Sequence, residues 1–215
     1  MKRRCSLLLI VLVSLSCCKR NSSPPPSLFT KDSYPLAVGN WWEYQLTSPG
    51  YSTDTFILKV SSMVNASPYM QYNCDFTGNG TSAPAGYFLL SDTSLSFINV
   101  SAQPDYTPFQ NFHLKFPVSK GQYWQGRYPP KDTILVLGVE NTYSSYGHTY
   151  SPCYSTNESY ILPHNFLVKS MLLTPKIGLI YGSIDFNSDT ADRTQSYPGG
   201  VQINQSITLL NYHVQ

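Results

Sequence analysis

From residue 41 onward the chain is written in short apolar and aromatic runs separated by turn residues, and no window sustains the apolar stripe of a long amphipathic helix. Runs of this kind, bounded by Gly, Pro, Asn and Ser, predict strands at Trp41–Thr47, Thr55–Met63, Tyr69–Phe76, Tyr87–Leu90, Ser94–Ser101 and His113–Phe116. Further strands are predicted at Thr133–Asn141, Thr149–Ser155, Phe166–Leu173, Gly178–Phe186 and Val201–Val214. Gly78-Asn79-Gly80, Pro129-Pro130 and Pro198-Gly199-Gly200 punctuate them. Seventeen Tyr, ten Phe and three Trp point the same way, because aromatic side chains fit a pleated, half-buried surface. The expectation is a mainly β fold with little helix. An antiparallel meander would form a curved sheet, a half-barrel or a sandwich over residues 33–215.

One internal echo stands out. Tyr34-Pro35-Leu36-Ala37-Val38-Gly39-Asn40-Trp41-Trp42 returns as Phe116-Pro117-Val118-Ser119-Lys120-Gly121-Gln122-Tyr123-Trp124, and each copy is followed by Asp-Thr and an aliphatic run, at Asp54 and at Asp132. The pattern is that of a turn entering a hairpin: Pro presets an extended approach, Gly permits a positive-φ corner, and an aromatic pair starts the strand. A possible repeat therefore covers residues 34–63 and 116–141. If Trp41-Trp42 begins a strand, the two rings fall on opposite faces, and only one can be core. Trp41, Trp42 and Trp124 are each candidates for ligand contact, weighed against simple packing of so large a side chain.

The first residues carry a different signal. Lys2, Arg3 and Arg4 precede the apolar run Leu7 to Val13, which is shorter than the roughly 20 residues a membrane span needs and so reads as a secretory signal. Ser14-Leu15-Ser16-Cys17 then resembles a lipobox, with the small Ser16 before the cysteine that takes the lipid. Cys17 fits better than Cys18, since cutting before Cys18 would put a cysteine in the small-residue place. The predicted organisation is a signal peptide over 1–16, a lipid anchor with a Pro- and Ser-rich tether over 17–32, and the β-rich domain thereafter.

Removing residues 1–16 takes three of the 14 Lys and Arg and none of the 12 Asp and Glu, turning a formal charge of +2 into −1. No basic cluster remains, so nucleic acid is not an expected partner. Of the five cysteines, Cys74 and Cys153 fall in the globular part. In an exported protein they are a possible disulfide, worth at most about 4–5 kcal/mol in the chain-entropy model, and the alternative is two buried thiols acting as small apolar groups.

Recognisable catalytic chemistry is sparse. Gly-x-Ser-x-Gly, His-Glu-x-x-His, a Walker loop and Gly-x-Gly-x-x-Gly are all missing from the sequence, and His113, His148, His164 and His213 are scattered singly. The alternating oxygens of Asp185, Asn187 and Asp189 make a weak Ca²⁺ candidate. Thr190 stands where such a loop needs Gly, and Ser196 where it needs a bidentate Glu, so a solvated loop between the last two strands is the favoured reading. No cofactor is expected.

The segment Pro35-Leu36-Ala37-Val38-Gly39-Asn40-Trp41-Trp42-Glu43-Tyr44 resembles the P-L-x-x-G-N-x-W-x-Y start of a large group of uncharacterised envelope lipoproteins common in Bacteroidetes-type bacteria. Thr174 to Tyr181 and Ile207 to Tyr212 are similar to that group's closing strands. The resemblance implies a lipid-anchored antiparallel β-domain, of a half-barrel form similar to LolA/LolB-type lipoprotein carriers, and it carries over no catalytic residue. The expected function is non-enzymatic: an outer-membrane lipoprotein that is structural or offers the groove of its curved sheet to a lipid or other hydrophobic ligand. The alternative is a glycan-binding or adhesive surface module, and a hydrolase with dispersed residues is a third class. The membrane, through the N-terminal lipid, is the expected partner, alongside a hydrophobic ligand, a glycan or another envelope protein. With no acidic run after the cysteines, a periplasm-facing position is favoured over surface exposure.

Overall fold

A computed structural model describes residues 28–50, 53–78, 81–100, 112–125, 132–140, 142–162, 165–188 and 201–215. The segments read as signal peptide and tether up to residue 27, with Cys17, lie outside the described residues, as does Asp189. Among the described residues a single 3-10 turn, Lys31–Ser33, precedes fourteen strands. The first half holds β1 (Trp41–Thr47), β2 (Asp54–Ala66), β3 (Tyr69–Gly78), β4 (Thr81–Leu90), β5 (Ser94–Asn99) and β6 (His113–Lys115). The second holds β7 (Tyr123–Gln125), β8 (Asp132–Glu140), β9 (Tyr143–Ser145), β10 (His148–Tyr150), β11 (Cys153–Leu162), β12 (Asn165–Thr174), β13 (Gly178–Ser188) and β14 (Val201–His213).

Twelve of these form one antiparallel sheet in the order β6-β5-β4-β3-β2-β1-β14-β13-β12-β11-β8-β7. It is a nearly closed, barrel-like meander in which β14 pairs with β1 and the short strands β6 and β7 form the two facing edges. The connection between those edges holds Val118, whose N–H donates to the carbonyl of Phe29 at 2.8 Å. Phe29 is fully buried beside Phe116 and Tyr154, so the segment before the first strand packs where the sheet stays open. The mainly β, antiparallel curved-sheet expectation is what the fold shows.

Inward positions alternate along each strand as the pleat requires: Trp42 and Tyr44, Leu58 and Val60, Ile134 and Val136, Met171 and Leu173 are all buried. Near the start of β1 the interior is aromatic. Tyr34 lies 5.5 Å from Phe88, 6.0 Å from Phe112 and 6.2 Å from Trp42 between ring centroids. In β11 and β12 the inward face also carries charge, where Glu158 and Lys169 sit opposite each other in register and pair while almost wholly buried.

The echo in the sequence is an echo in structure. Gly39 N–H donates to Val60 O at 2.9 Å, and Val60 N–H returns to Asn40 O at 2.9 Å. In the second segment Gly121 N–H donates to Val136 O and Val136 N–H to Gln122 O, again at 2.9 Å each. Gly39 and Gly121 have φ of 97° and 80°, the positive-φ corner predicted for both. Trp42 then pairs with Leu58 on β2 as Trp124 pairs with Ile134 on β8.

Two expectations change. The strand predicted at Thr149–Ser155 is interrupted at Ser151-Pro152: its first part closes the small β9–β10 hairpin and its second begins β11. Proline has no N–H for a ladder and a restricted φ, so the run cannot pass through it as one central strand. Asn187, read as part of the loop after a strand ending at Phe186, instead continues β13, where Asp185 and Asn187 pair with Asn204 and Gln202 of β14. The alternation Ile184-Asp185-Phe186-Asn187 has the period of a strand, and that period outweighs the loop-like composition.

Candidate functional site

The concave face was the expected place for a groove, but among the described residues it is a packed core. Trp42, Tyr44, Phe88, Phe97, Phe112 and Tyr154 are each almost fully buried there. The cleft lies instead on the outer face, and the β9–β10 hairpin creates it. This hairpin leaves the sheet after β8 and lies across the outside of the barrel: Tyr143 meets Tyr181 of β13 at 6.2 Å, and the Tyr146 hydroxyl donates to Gln45 Oε1 on β1. Tyr143 and Tyr150 stack across the hairpin at 6.5 Å, and Tyr150 is 3% exposed.

Between the hairpin and strands β8, β11, β12 and β13 remains a cleft of about 440 Å³, within the size range of small-molecule sites. Leu137, Leu172, Tyr143 and Tyr181 form its apolar lining, with the hydroxyls of Ser155 and Ser170 as polar groups. A bulge shapes the wall. Ser155 pairs with Gly138 while Thr156 pairs with Val136, leaving Leu137 as the extra residue, and it is 53% exposed. Ser155 Oγ donates to Gly138 O at 3.4 Å. Burial raises the pKa of Tyr143, and it pushes that of Tyr150 up to about 12 with help from the neighbouring Tyr212 and Tyr143 phenols. Both phenols are therefore neutral at physiological pH. The arrangement can take up an apolar chain or ring and offer hydroxyls to its polar end.

The residues predicted for function are not brought together here. Trp42 and Trp124 are core, 0% and 4% exposed. Trp41 is half-buried on the outer face, stacked on His213 at 6.3 Å, and is the member of the three left with surface to offer a ligand. Cys74 and Cys153 are both buried thiols with no disulfide between them. They lie on β3 and β11, where the thiols donate to Tyr72 O and Tyr150 O respectively. Burial pushes the Cys74 thiol up to about 12. Asp185 contributes a buried carboxylate oxygen without a hydrogen-bond partner among the described residues. No group of three or more His, Cys, Asp or Glu that could hold a metal occurs among the described residues.

Sequence reasoning missed the cleft residues, although a signal was present. Ile134-Leu135-Val136-Leu137 is apolar at every position, which in a strand means that both faces are to be covered or used. Tyr146-Gly147 is the turn of the covering hairpin, where both residues have positive φ.

No family model matches the chain, and no curated protein matches it. Among solved structures, one similar in shape is a Bacteroides fragilis protein described as exported and YmcC-like in fold. It is 9% identical, with 86% of this chain and 99% of that one covered and a TM-score of 0.47. Another is a Parabacteroides distasonis protein described as a lipoprotein, 10% identical, with the same coverages and a TM-score of 0.39.

Proposed function

We propose that the protein is a non-catalytic, lipid-anchored protein of the outer membrane that holds a hydrophobic ligand, such as a lipid acyl chain, in the cleft beneath the β9–β10 hairpin. The observation that carries this reading is the cleft itself: about 440 Å³, lined by Leu137, Leu172, Tyr143 and Tyr181, with Ser155 and Ser170 as its polar groups. Apolar walls with a few convergent polar groups suit an amphiphile. The lipobox-like Ser14-Leu15-Ser16-Cys17 supports the anchor. The glycan alternative has less to stand on, because two of the three tryptophans are spent on the core.

The test is titration with a fluorescent fatty acid and native mass spectrometry of the protein isolated without its anchor. The wild type binds the probe and carries copurifying lipid. Ser155→Trp, which fills the cleft, and Leu137→Glu, which charges its wall, weaken binding by roughly tenfold or more while unfolding at a similar denaturant concentration. Unchanged affinity in both variants would remove the cleft from the proposal.

A further inference from the structure

Strand directions place most of the barrel's exposed large apolar side chains at one end. Because β1 to β6 alternate, and β14, β13, β12, β11, β8 and β7 continue the alternation, one end collects the start of β1 and the β2–β3, β4–β5, β6–β7 and β12–β13 turns. Leu28, Val38, Met63, Val64, Tyr69 and Tyr123 all lie at this end, from 40% to 74% exposed. Val100, at the other end of β5, and Tyr146, on the β9–β10 hairpin over the outer face, are counter-examples, and Leu135 and Leu137 lie along β8.

The most prominent feature there is the β2–β3 hairpin. Its last pair with β1 is Lys59 with Trp41, yet β2 continues to Ala66, so its tip runs about 20 Å along the strand beyond that pair. Met63 and Val64 are neighbours pointing to opposite faces, and both are about half exposed, 50% and 49%. An apolar tip wet on both faces is costly in water, and its burial elsewhere would recover that cost.

The chain outside the described structure leaves from the same end. Leu28 is where it departs, and Lys31 ties the segment to Asp92 in the β4–β5 turn at 2.5 Å. If Cys17 carries the lipid, the ten residues 18–27 reach at most about 35 Å, which keeps this end close to the bilayer. Exposed Lys115, Lys120 and Lys176 sit in the turns of this end, where Lys31 is met by Asp92 and Lys59 in register by Asp75, and where Asp32, Glu43 and Glu140 also lie.

We infer that this end of the barrel is a membrane-docking surface, with the Met63–Tyr69 hairpin tip entering the interface of an anionic bilayer and the surrounding lysines meeting its headgroups. Lysine heads beside apolar side chains are the combination that binds such an interface. The motive rests on the anchored reading of the N-terminus, so the test supplies the tether separately. Among the described residues every buried core residue lies between Phe29 and Leu209, and the chain from Asn21 onward carries all of them.

That chain is held by an N-terminal hexahistidine tag on vesicles of phosphatidylcholine and phosphatidylglycerol containing a nickel-chelating lipid. An environment-sensitive fluorophore is placed at Val64→Cys or, at the opposite end, at Thr55→Cys, both exposed positions; Cys74 and Cys153 are buried and do not compete. The dye at 64 shifts to the blue and is quenched at least about twofold more by lipid-borne quencher than the dye at 55. Both dyes remaining in water, or both responding equally, would overturn the assignment of this end as the docking surface.

Discussion

The ring of Tyr34 lies against the backbone of Gly178, so close that a Cβ built at 178 would sit 2.9 Å from the ring. Gly178 has φ of 97°, which side chains disfavour independently of space. Lys176 N–H donates to Ser33 O at 2.7 Å, so the segment before β1 is fastened to the β12–β13 turn by a backbone bond as well as by the packed ring. Gly178→Ala should therefore cost about 2–4 kcal/mol, from positive φ and overpacking together. Gly147→Ala, where φ is 81° and nothing lies within 4 Å of the added carbon, should cost only about 1 kcal/mol. Equal midpoints in denaturant titrations of the two variants would show that the Tyr34 ring is not what excludes a side chain.

Trp42 and Trp124 occupy equivalent places in the repeated hairpin, but only one has a use for its indole N–H. The register of β13 with β14 begins at Tyr181, leaving the preceding carbonyls of Ile177 and Leu179 outside that ladder. Trp42 Nε1 donates to the first at 2.6 Å and the Tyr44 hydroxyl to the second at 2.9 Å. Trp124 Nε1 is buried without a partner among the described residues. Trp42→Phe should therefore destabilise by about 1–3 kcal/mol more than Trp124→Phe, because it leaves a carbonyl unpaired. Urea titration of both variants measures the difference, and a larger loss at 124 would contradict it.

Much of the sheet was legible because the strands obey local rules. Trp41–Thr47 is predicted and found with the same ends, and the Pro-x-x-x-Gly turns of both repeats announce the corners before β1 and β7. Where local signals conflict with tertiary context, the reading fails. The first half of β4 is missed because Ala83-Pro84-Ala85-Gly86 has the composition of a turn. In the fold Ala85 is the extra residue of a bulge between the pairs Cys74–Gly86 and Asp75–Pro84. The cleft was illegible for another reason. It depends on which strands the β9–β10 hairpin covers, and that follows from a register among distant segments that no window of sequence contains.

The in-register pair of Glu158 and Lys169 makes a prediction about specificity of packing. Its side chains are 4% and 2% exposed, so each ion depends on the other for compensation. Lys169→Met leaves a buried carboxylate without its cation and should cost about 3–5 kcal/mol. Glu158→Leu combined with Lys169→Met replaces both by apolar groups in a core that already holds Ile134 and Ile184 nearby, so the double variant should be more stable than Lys169→Met alone. A double-mutant cycle by chemical denaturation gives the coupling, and simple additivity would show that the two charges act separately.

Alkaline pH should loosen this fold earlier than its charge balance suggests. Burial raises the pKa of Cys74 from an ordinary 9.0 to about 12 and that of Tyr150 from 10.0 to about 12, and it holds the phenols of Tyr34 and Tyr44 above their usual range. In each case the neutral form is favoured in the folded state, while the unfolded chain ionises at the ordinary value. The stabilisation is thus fully present below about pH 9, and it is lost progressively as pH rises from the unfolded values towards about 12. Thermal unfolding should show a falling midpoint from pH 9 to 12, with tyrosine ionisation near 295 nm rising cooperatively at the transition. The buried thiols supply an independent reading: at pH 8 iodoacetamide should leave Cys74 and Cys153 unmodified in the folded protein and alkylate both in denaturant. Rapid alkylation of native Cys74 at pH 8 would mean that its strand does not seal it from solvent, and the alkaline prediction would fail with it.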